Sequence, residues 1–171
     1  ESQMSNGQIY NKSSPNGRYE YNMNTPFKAM GGMSFFIQKM GFISLDYEYQ
    51  DFSQAYLKSS GDSFYDENDN INNDFTAAHT LRVGTEWRFQ PFFVRAGYAF
   101  TTSPVKEEVN DMTQNQFSFG LGYRSGPFFI DASFMQKYNA QNFYMYSADY
   151  VNPAYLETKT SYYSLSLGFK F

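Results

Sequence analysis

The sequence predicts an all-β chain, an antiparallel β-barrel of the transmembrane kind, on three observations. Apolar residues recur with a period of two in segment after segment, which is the signature of a strand with one greasy face and one small or polar face. Aromatic residues are abundant: 16 Tyr, 19 Phe and one Trp make 21% of the chain, against 18% charged residues. Short turns alternate with long polar connections, as in barrels whose tight turns face the periplasm and whose long loops face outward. A soluble β-sandwich or lipocalin-like barrel alternates too, but its outer face carries Lys, Glu and Thr. Here the polar face is rich in Gly and Ser with paired opposite charges, and the apolar face is aromatic towards the strand ends.

Each segment repeats the pattern. FISLDYEYQ sets Ile43, Leu45, Tyr47 and Tyr49 against Ser44, Asp46, Glu48 and Gln50. In HTLRVGTEWRF, Leu81, Val83, Trp87 and Phe89 oppose Arg82, Gly84, Glu86 and Arg88. FFVRAGYAF sets Phe92, Val94, Ala96, Tyr98 and Phe100 against Phe93, Arg95, Gly97 and Ala99. QFSFGLGYR opposes Phe117, Phe119, Leu121 and Tyr123 to Ser118, Gly120, Gly122 and Arg124. FFIDASFMQK places Ile130, Ala132 and Phe134 opposite Asp131, Ser133 and Lys137. The closing YYSLSLGFKF turns Tyr163, Leu165, Leu167, Phe169 and Phe171 one way and Tyr162, Ser164, Ser166, Gly168 and Lys170 the other. These segments predict strands at about 27–38, 42–52, 78–89, 92–101, 114–124, 128–138 and 160–171, with long loops near 53–75, 102–113 and 139–159. Helical spacing persists nowhere.

The turns test this reading. A two-residue hairpin loop must flip the parity of the greasy positions, and a three-residue loop must preserve it. Across Gln90-Pro91 the set flips from odd to even, across Ser125-Gly126 it flips again, and across Lys39-Met40-Gly41 it stays odd. Upstream, Tyr19, Tyr21 and Met23 share the odd phase of Phe27, Met33, Phe35 and Ile37. Residues 18–38 therefore read as one long strand kinked at Pro26, following a loop segment at 1–17. A separate strand at 18–23, turning at Asn24-Thr25-Pro26, would keep the same phase. Seven strands are an odd number, whereas single-chain bacterial barrels have an even one. The chain is expected to be part of a larger barrel, residues 18–171 forming its wall and residues 1–17 an extracellular loop.

Composition excludes some functions. A net charge of −4 and a pI near 4.9 argue against a nucleic-acid partner. The absence of Cys removes disulfide scaffolds and Cys-based zinc sites. No stretch approaches the ~18 apolar residues of a membrane helix, and ESQMSNGQIY is no signal peptide. No cofactor or metal is expected. Asp66, Asn68 and Asn70 have the 1-3-5 spacing of a calcium loop, but Ile71 replaces the required Gly and Ala77 the closing Glu. The sole histidine, His79, has no second catalytic partner in the pattern and reads as a rim residue, so no enzyme is expected.

The stretch TLRVGTEWRFQPFFVRAGYAFTTSPV resembles paired strands near the C-terminus of the FadL-type transporters of long-chain fatty acids and other hydrophobic compounds. Arg82, Gly84, Trp87, Arg95, Gly97, Tyr98, Ser103 and Pro104 carry the likeness, with TPFKAMGGMSFFIQ and ISLDYEYQDFS fitting earlier strands. The resemblance covers roughly 24–171. It implies a 14-stranded barrel, of which this would be the last seven strands, in the outer membrane of a Gram-negative cell. The family's N-terminal plug is not among these residues.

On this reading the interior face carries a ladder of acids (Asp46, Glu48, Glu86 and Asp131) and bases (Arg82, Arg88, Arg95 and Lys170), expected to pair across strands. Phe36, Phe93 and Met135 are the candidate lining of an apolar path. Tyr163, Leu165, Leu167, Phe169 and the terminal Phe171 resemble the C-terminal signal read by the outer-membrane assembly machinery. The expected partners are outer-membrane lipid, that machinery, the N-terminal half of the barrel or a complementary chain, and other envelope proteins. Uptake of hydrophobic compounds and a structural or assembly role in an envelope complex are the two functions that follow.

Overall fold

The computed structural model describes residues 20–59, 61, 63–106, 110–143, 145 and 152–170, and the backbone of a small strand pair, Ser2–Gln3 with Ile9–Tyr10. The chain is mostly antiparallel β-sheet. Seven strands form one sheet: β1 (Lys28–Ile37), β2 (Gly41–Asp51), β3 (Ala77–Phe89), β4 (Phe92–Thr101), β5 (Gln114–Ser125), β6 (Phe128–Phe143) and β7 (Ala154–Phe169). Their spatial order is their sequence order, so the sheet is a simple meander with β1 and β7 at its edges. It is an open sheet. The expected closed barrel is not formed by this chain alone.

The registers differ from the turn assignments in detail. The first hairpin pairs Ile37 with Gly41, so its three-residue loop is Gln38-Lys39-Met40. Gln38, not Gly41, takes the left-handed backbone, with φ 47°. Gly41 is required for another reason: a Cβ there would collide with the Glu86 carbonyl oxygen on β3. The Gln90-Pro91 turn stands as expected, with Phe89 opposite Phe92. The last tight turn is Gly126-Pro127, since Ser125 pairs with Phe128. A one-residue shift of the whole loop preserves parity, which is why alternation alone did not detect it.

The connections depart further. Residues 53–75 hold a 3-10 turn (Phe52–Gln54), a short strand (Tyr56–Lys58) and an α-helix, α1 (Tyr65–Asp74). The helix places Asp66, Asn68 and Asn70 at 100° per residue, so the calcium-like spacing cannot converge on one ion. The Asn68 amide instead accepts from Leu57 N–H at 2.8 Å and donates to Leu57 O at 2.9 Å, standing in for a strand partner. The long kinked strand at 18–38 is not continuous either. Asn22–Asn24 pairs with Tyr56–Lys58, and β1 begins only at Lys28. Finally, β6 and β7 pair as far as Phe143 and Ala154, so the connection placed at 139–159 shrinks to the residues between them.

Parity assigns the faces without exception. Leu45, Val83, Tyr98 and Phe117 lie in one cross-strand row, and Met33, Leu121, Ala132 and Leu165 share their side. The opposite side carries Gly84 beside Gly97 and Ser118, and Asp131 beside Gly122 and Ser166. Neither side is covered. Among the described residues only Ala78, Phe93, Val105 and Thr80, with the glycines Gly41, Gly120 and Gly122, are buried, and large apolar side chains such as Leu121 (50% exposed) and Leu165 (66%) stand open. A chain that exposes this much aromatic and aliphatic surface has no core of its own.

Candidate functional site

The polar side of the sheet lines a trough of about 480 Å³, from Ser44 and Asp46 on β2 to Ser164 and Ser166 on β7. Small residues make room for it. Directly paired side chains lean over glycines: a Cβ on Gly122 would meet the Asp131 carboxylate, and one on Gly168 would run into the Phe129 ring.

Two groups of ion pairs lie on this side of the sheet, and of their members Arg82, Glu86, Arg95 and Asp131 line the trough. Glu48 on β2 binds Lys28 on β1 at 2.7 Å and Arg82 on β3 at 3.0 Å. On the next strands Glu86 binds Arg88 at 2.9 Å and Arg95 at 2.7 Å, and Arg95 reaches on to Asp131 on β6 at 2.7 Å. Arg124 stands 3.8 Å from the same aspartate, with its guanidinium 4.4 Å from the centroid of the Phe93 ring. Six of the eight residues singled out from the sequence therefore meet: Glu48, Arg82, Glu86, Arg88, Arg95 and Asp131. Asp46 and Lys170 are in none of these pairs. Asp46 lies over Gly32 instead, and Lys170 donates its backbone N–H to Pro127 O at 2.7 Å.

Sequence reasoning missed two members. Arg124 has the right parity and stands one residue from Tyr123, but its partner Asp131 is seven residues on, across a turn and two positions beyond its direct pair Phe129. Lys28 sits next to the predicted strand start and reaches Glu48 diagonally, since its direct partner is Gln50. Charge at the even positions of β1 and the odd-to-even switch at β6 were the available signals.

Aromatic residues are unevenly placed on this side. Phe36 and Phe42 pair at the turn end, 5.8 Å between centroids, with Phe36 75% exposed. Phe93 is buried under Arg124, and Met135 lies opposite Ser118 and Tyr162 near mid-strand. The three residues proposed as an apolar path are on one side of the sheet but do not form one cluster.

On the apolar side, ring pairs stand at both strand ends and, as Phe134 on Tyr163 at 5.1 Å, in the middle of β6 and β7. Phe92 packs on Tyr123 at 5.5 Å near the turns. Tyr98 packs on Phe117 at 5.0 Å and Phe117 on Tyr138 at 6.3 Å towards the loops. His79 belongs to this set: its Nδ1 hydrogen-bonds the Tyr47 hydroxyl at 2.7 Å and its ring lies 5.4 Å from Tyr49. Its hydrogen-bond partner is a phenol, not a serine. Tyr163, Leu165, Leu167 and Phe169 line the exposed edge strand on the same side, and Phe171 lies outside the described residues.

Above the sheet the loops are clipped together. Phe75 bridges to Val105, Thr76 N–H donates to Pro104 O at 2.9 Å, and Lys106 N–H to Asp74 O at 2.9 Å. The Asn110 amide pairs reciprocally with the backbone of Asn142, both bonds 2.9 Å. Asp111 accepts from the Thr113 hydroxyl at 2.6 Å and from its N–H at 2.9 Å, which holds the carboxyl below the usual carboxylate range. No group of metal-ligating side chains occurs among the described residues. No described helix is long and apolar enough to cross a membrane, which says nothing about crossing by strands. Comparison with protein-family models, with curated proteins and with solved structures finds no match.

Proposed function

We propose that the chain forms seven adjacent strands in the wall of an outer-membrane β-barrel, its aromatic side towards lipid and its ionic side towards the interior, and that the barrel admits hydrophobic compounds such as long-chain fatty acids. The observation that carries the wall reading is the pair of uncovered, chemically opposite faces. From His79 to Phe89 on β3, and from Phe128 to Tyr138 on β6, aromatic residues bracket the apolar stretch by ten residue steps. Ten steps span ~33 Å, and a strand tilted by ~40° covers ~25 Å of height, which matches the apolar band of such barrels.

The edges say what is needed to finish it. Every exposed backbone N–H and C=O in hydrocarbon would go unsatisfied, so neither β1 nor β7 can remain an edge there. Because β1 and β7 are the first and last of seven antiparallel strands, they run in the same direction. An odd number of further strands closes such a sheet antiparallel throughout. A second copy in the same membrane orientation would put parallel seams at both joins. The complement is therefore the N-terminal half of the barrel or a different chain.

Transport of apolar compounds rests on the FadL-type resemblance around 80–105 and on the aromatic residues Phe36, Phe42 and Phe93 at the turn end of the interior side. The second reading, a structural or assembly barrel in an envelope complex, is favoured by one observation. Arg82 and Arg95 are already engaged by acids, so neither is a free receiver for a fatty-acid carboxylate. The experiment is uptake of a labelled long-chain fatty acid by cells lacking other such channels and expressing the complete protein. The transport reading expects uptake, slowed without loss of barrel when Phe143, Tyr144 and Tyr146 are replaced by Ser. Absence of uptake, together with disturbed envelope proteins on deletion, selects the assembly reading.

A further inference from the structure

We propose that a pocket at the loop end of the apolar side binds a sugar, presented there as the headgroup of a membrane glycolipid; the membrane placement rests on the wall reading above. The pocket, about 530 Å³, opens where β5, β6 and β7 leave the apolar band. Asn115, Tyr138 and Lys159 form one cross-strand row, on the same side as Phe117 and Tyr163. Two residues on towards the loops, β6 carries only Ala140 on this side, opposite Glu157. That short side chain makes the hollow. Asp111 and Thr113, just ahead of β5, close its other flank. The reciprocal bonds between the Asn110 amide and the Asn142 backbone, both 2.9 Å, pin that flank to β6.

The lining suits hydroxyl groups. It holds two carboxylates, Asp111 and Glu157, against one ammonium, Lys159, so a phosphate or a carboxylate meets net repulsion. A hydroxyl both donates and accepts, and it finds partners of each kind here. Asp111 spends only Oδ1, on the Thr113 hydroxyl and N–H, and keeps Oδ2 open. Asn115 accepts the Tyr98 hydroxyl at Oδ1, 2.7 Å away, and keeps its amide N–H donors. Glu157 is in no hydrogen bond or ion pair among the described residues. Lys159 lies 5.0 Å over the Tyr138 ring, which leaves its N–H donors unspent. Neighbouring strands stand ~5 Å apart, close enough for one sugar ring to engage several of these groups at once. Bonds from its hydroxyls to the carboxylates are charge-assisted and therefore the strong ones.

The level is that of headgroups. Tyr138 ends the apolar stretch of β6, and Ala140 lies two residues beyond it, ~7 Å along the strand. The interfacial layer outside the hydrocarbon is ~5–8 Å deep on each side of a bilayer. The acyl chains of a glycolipid seated here run down beside Phe117, Phe134 and Tyr163 on the apolar side. A lipid-borne sugar uses that apolar flank, and a free one does not.

The test uses the complete protein folded into phosphatidylcholine vesicles, with a fluorophore on a single Cys at Ser161, two residues below Lys159 on the same side. Brominated glucosyl diacylglycerol, phosphatidylethanolamine or phosphatidylcholine is added at equal mole fraction. Quenching should report a roughly tenfold local preference for the glycolipid, the sum of a few net hydrogen bonds. The preference should fall to about threefold in Glu157→Gln, which keeps the shape but gives up a charged acceptor. It should vanish in Ala140→Leu, which fills the hollow. A fluorophore at Leu45, in the same cross-strand row on β2, should show none. Saturation-transfer NMR with methyl glucoside is the second arm. Transfer without any lipid preference assigns the pocket to a free saccharide and overturns the headgroup assignment. Neither preference nor transfer overturns the proposal outright. So does a preference for phosphatidylethanolamine, whose ammonium the two carboxylates would then be holding. Failure of the wall reading registers separately, as no quenching by any brominated lipid, and the transfer arm then still decides the sugar.

Discussion

The two sides of this sheet are built on the same seven backbones and obey opposite rules. On the apolar side, neighbours are interchangeable in kind: Leu45, Val83 and Leu121 are each near half exposed, and none depends on a particular partner. On the ionic side, each position is specified by another. Arg95 serves Glu86 and Asp131 at once, Asp131 rests over Gly122, and Gly97 leaves room for the Ser118 hydroxyl. The first side is suited to a fluid surrounding that imposes hydrophobicity but no shape. The second is suited to a fixed surrounding. The difference teaches that period-two alternation here separates two sides of opposite chemistry, neither of them covered by this chain.

Substitutions can break that contrast, beginning with the largest effect. Val83→Arg puts a charge at mid-strand on the apolar side and should cost ~2–4 kcal/mol in a bilayer, read as a lowered midpoint in urea titration of folding into lipid vesicles. On the ionic side, Gly122→Val should cost ~1–3 kcal/mol, because the new side chain displaces Asp131 from Arg95 and crowds Phe93. Arg95→Gln keeps much of the stem but strands two partly covered acids, and an intermediate loss of ~1–2 kcal/mol is expected between exposed and buried ion pairs. The smallest effect is Gly84→Ser. Its Cβ would come 3.0 Å from Ser44 Oγ, a hydroxyl that can turn aside, and the change should stay within ~0.5 kcal/mol. Equal damage from Val83→Arg and Gly84→Ser would mean that the two sides do not differ in surroundings.

Much of this was legible in the sequence because side-chain direction in a strand is a local property. Val83 and Gly84 announce their sides by parity, and six ladder residues were named from it. What was not legible depends on registers and contacts that parity cannot see. Ile37 opposite Gly41 has the same phase as the alternative turn, so the loop was placed one residue late. Asn139 to Phe143 pair with Ala154 to Thr158 without any apolar alternation, so those strand ends read as loop. The helix Tyr65–Asp74 has no apolar stripe to reveal it, and Asn68 works through its backbone mimicry of a strand. Lys28 and Arg124 joined the ladder diagonally, through reach and not through direct pairing.

The central claim is that the apolar side of this sheet meets lipid and the ionic side does not. The absence of native cysteine in the chain allows single-Cys variants at 81 to 87 on β3, each carrying a fluorophore in the complete protein folded into vesicles of brominated lipid. Quenching should alternate, strong at 81, 83, 85 and 87 and weak at 82, 84 and 86. Uniform quenching along the strand, or an alternation with the opposite phase, would contradict it.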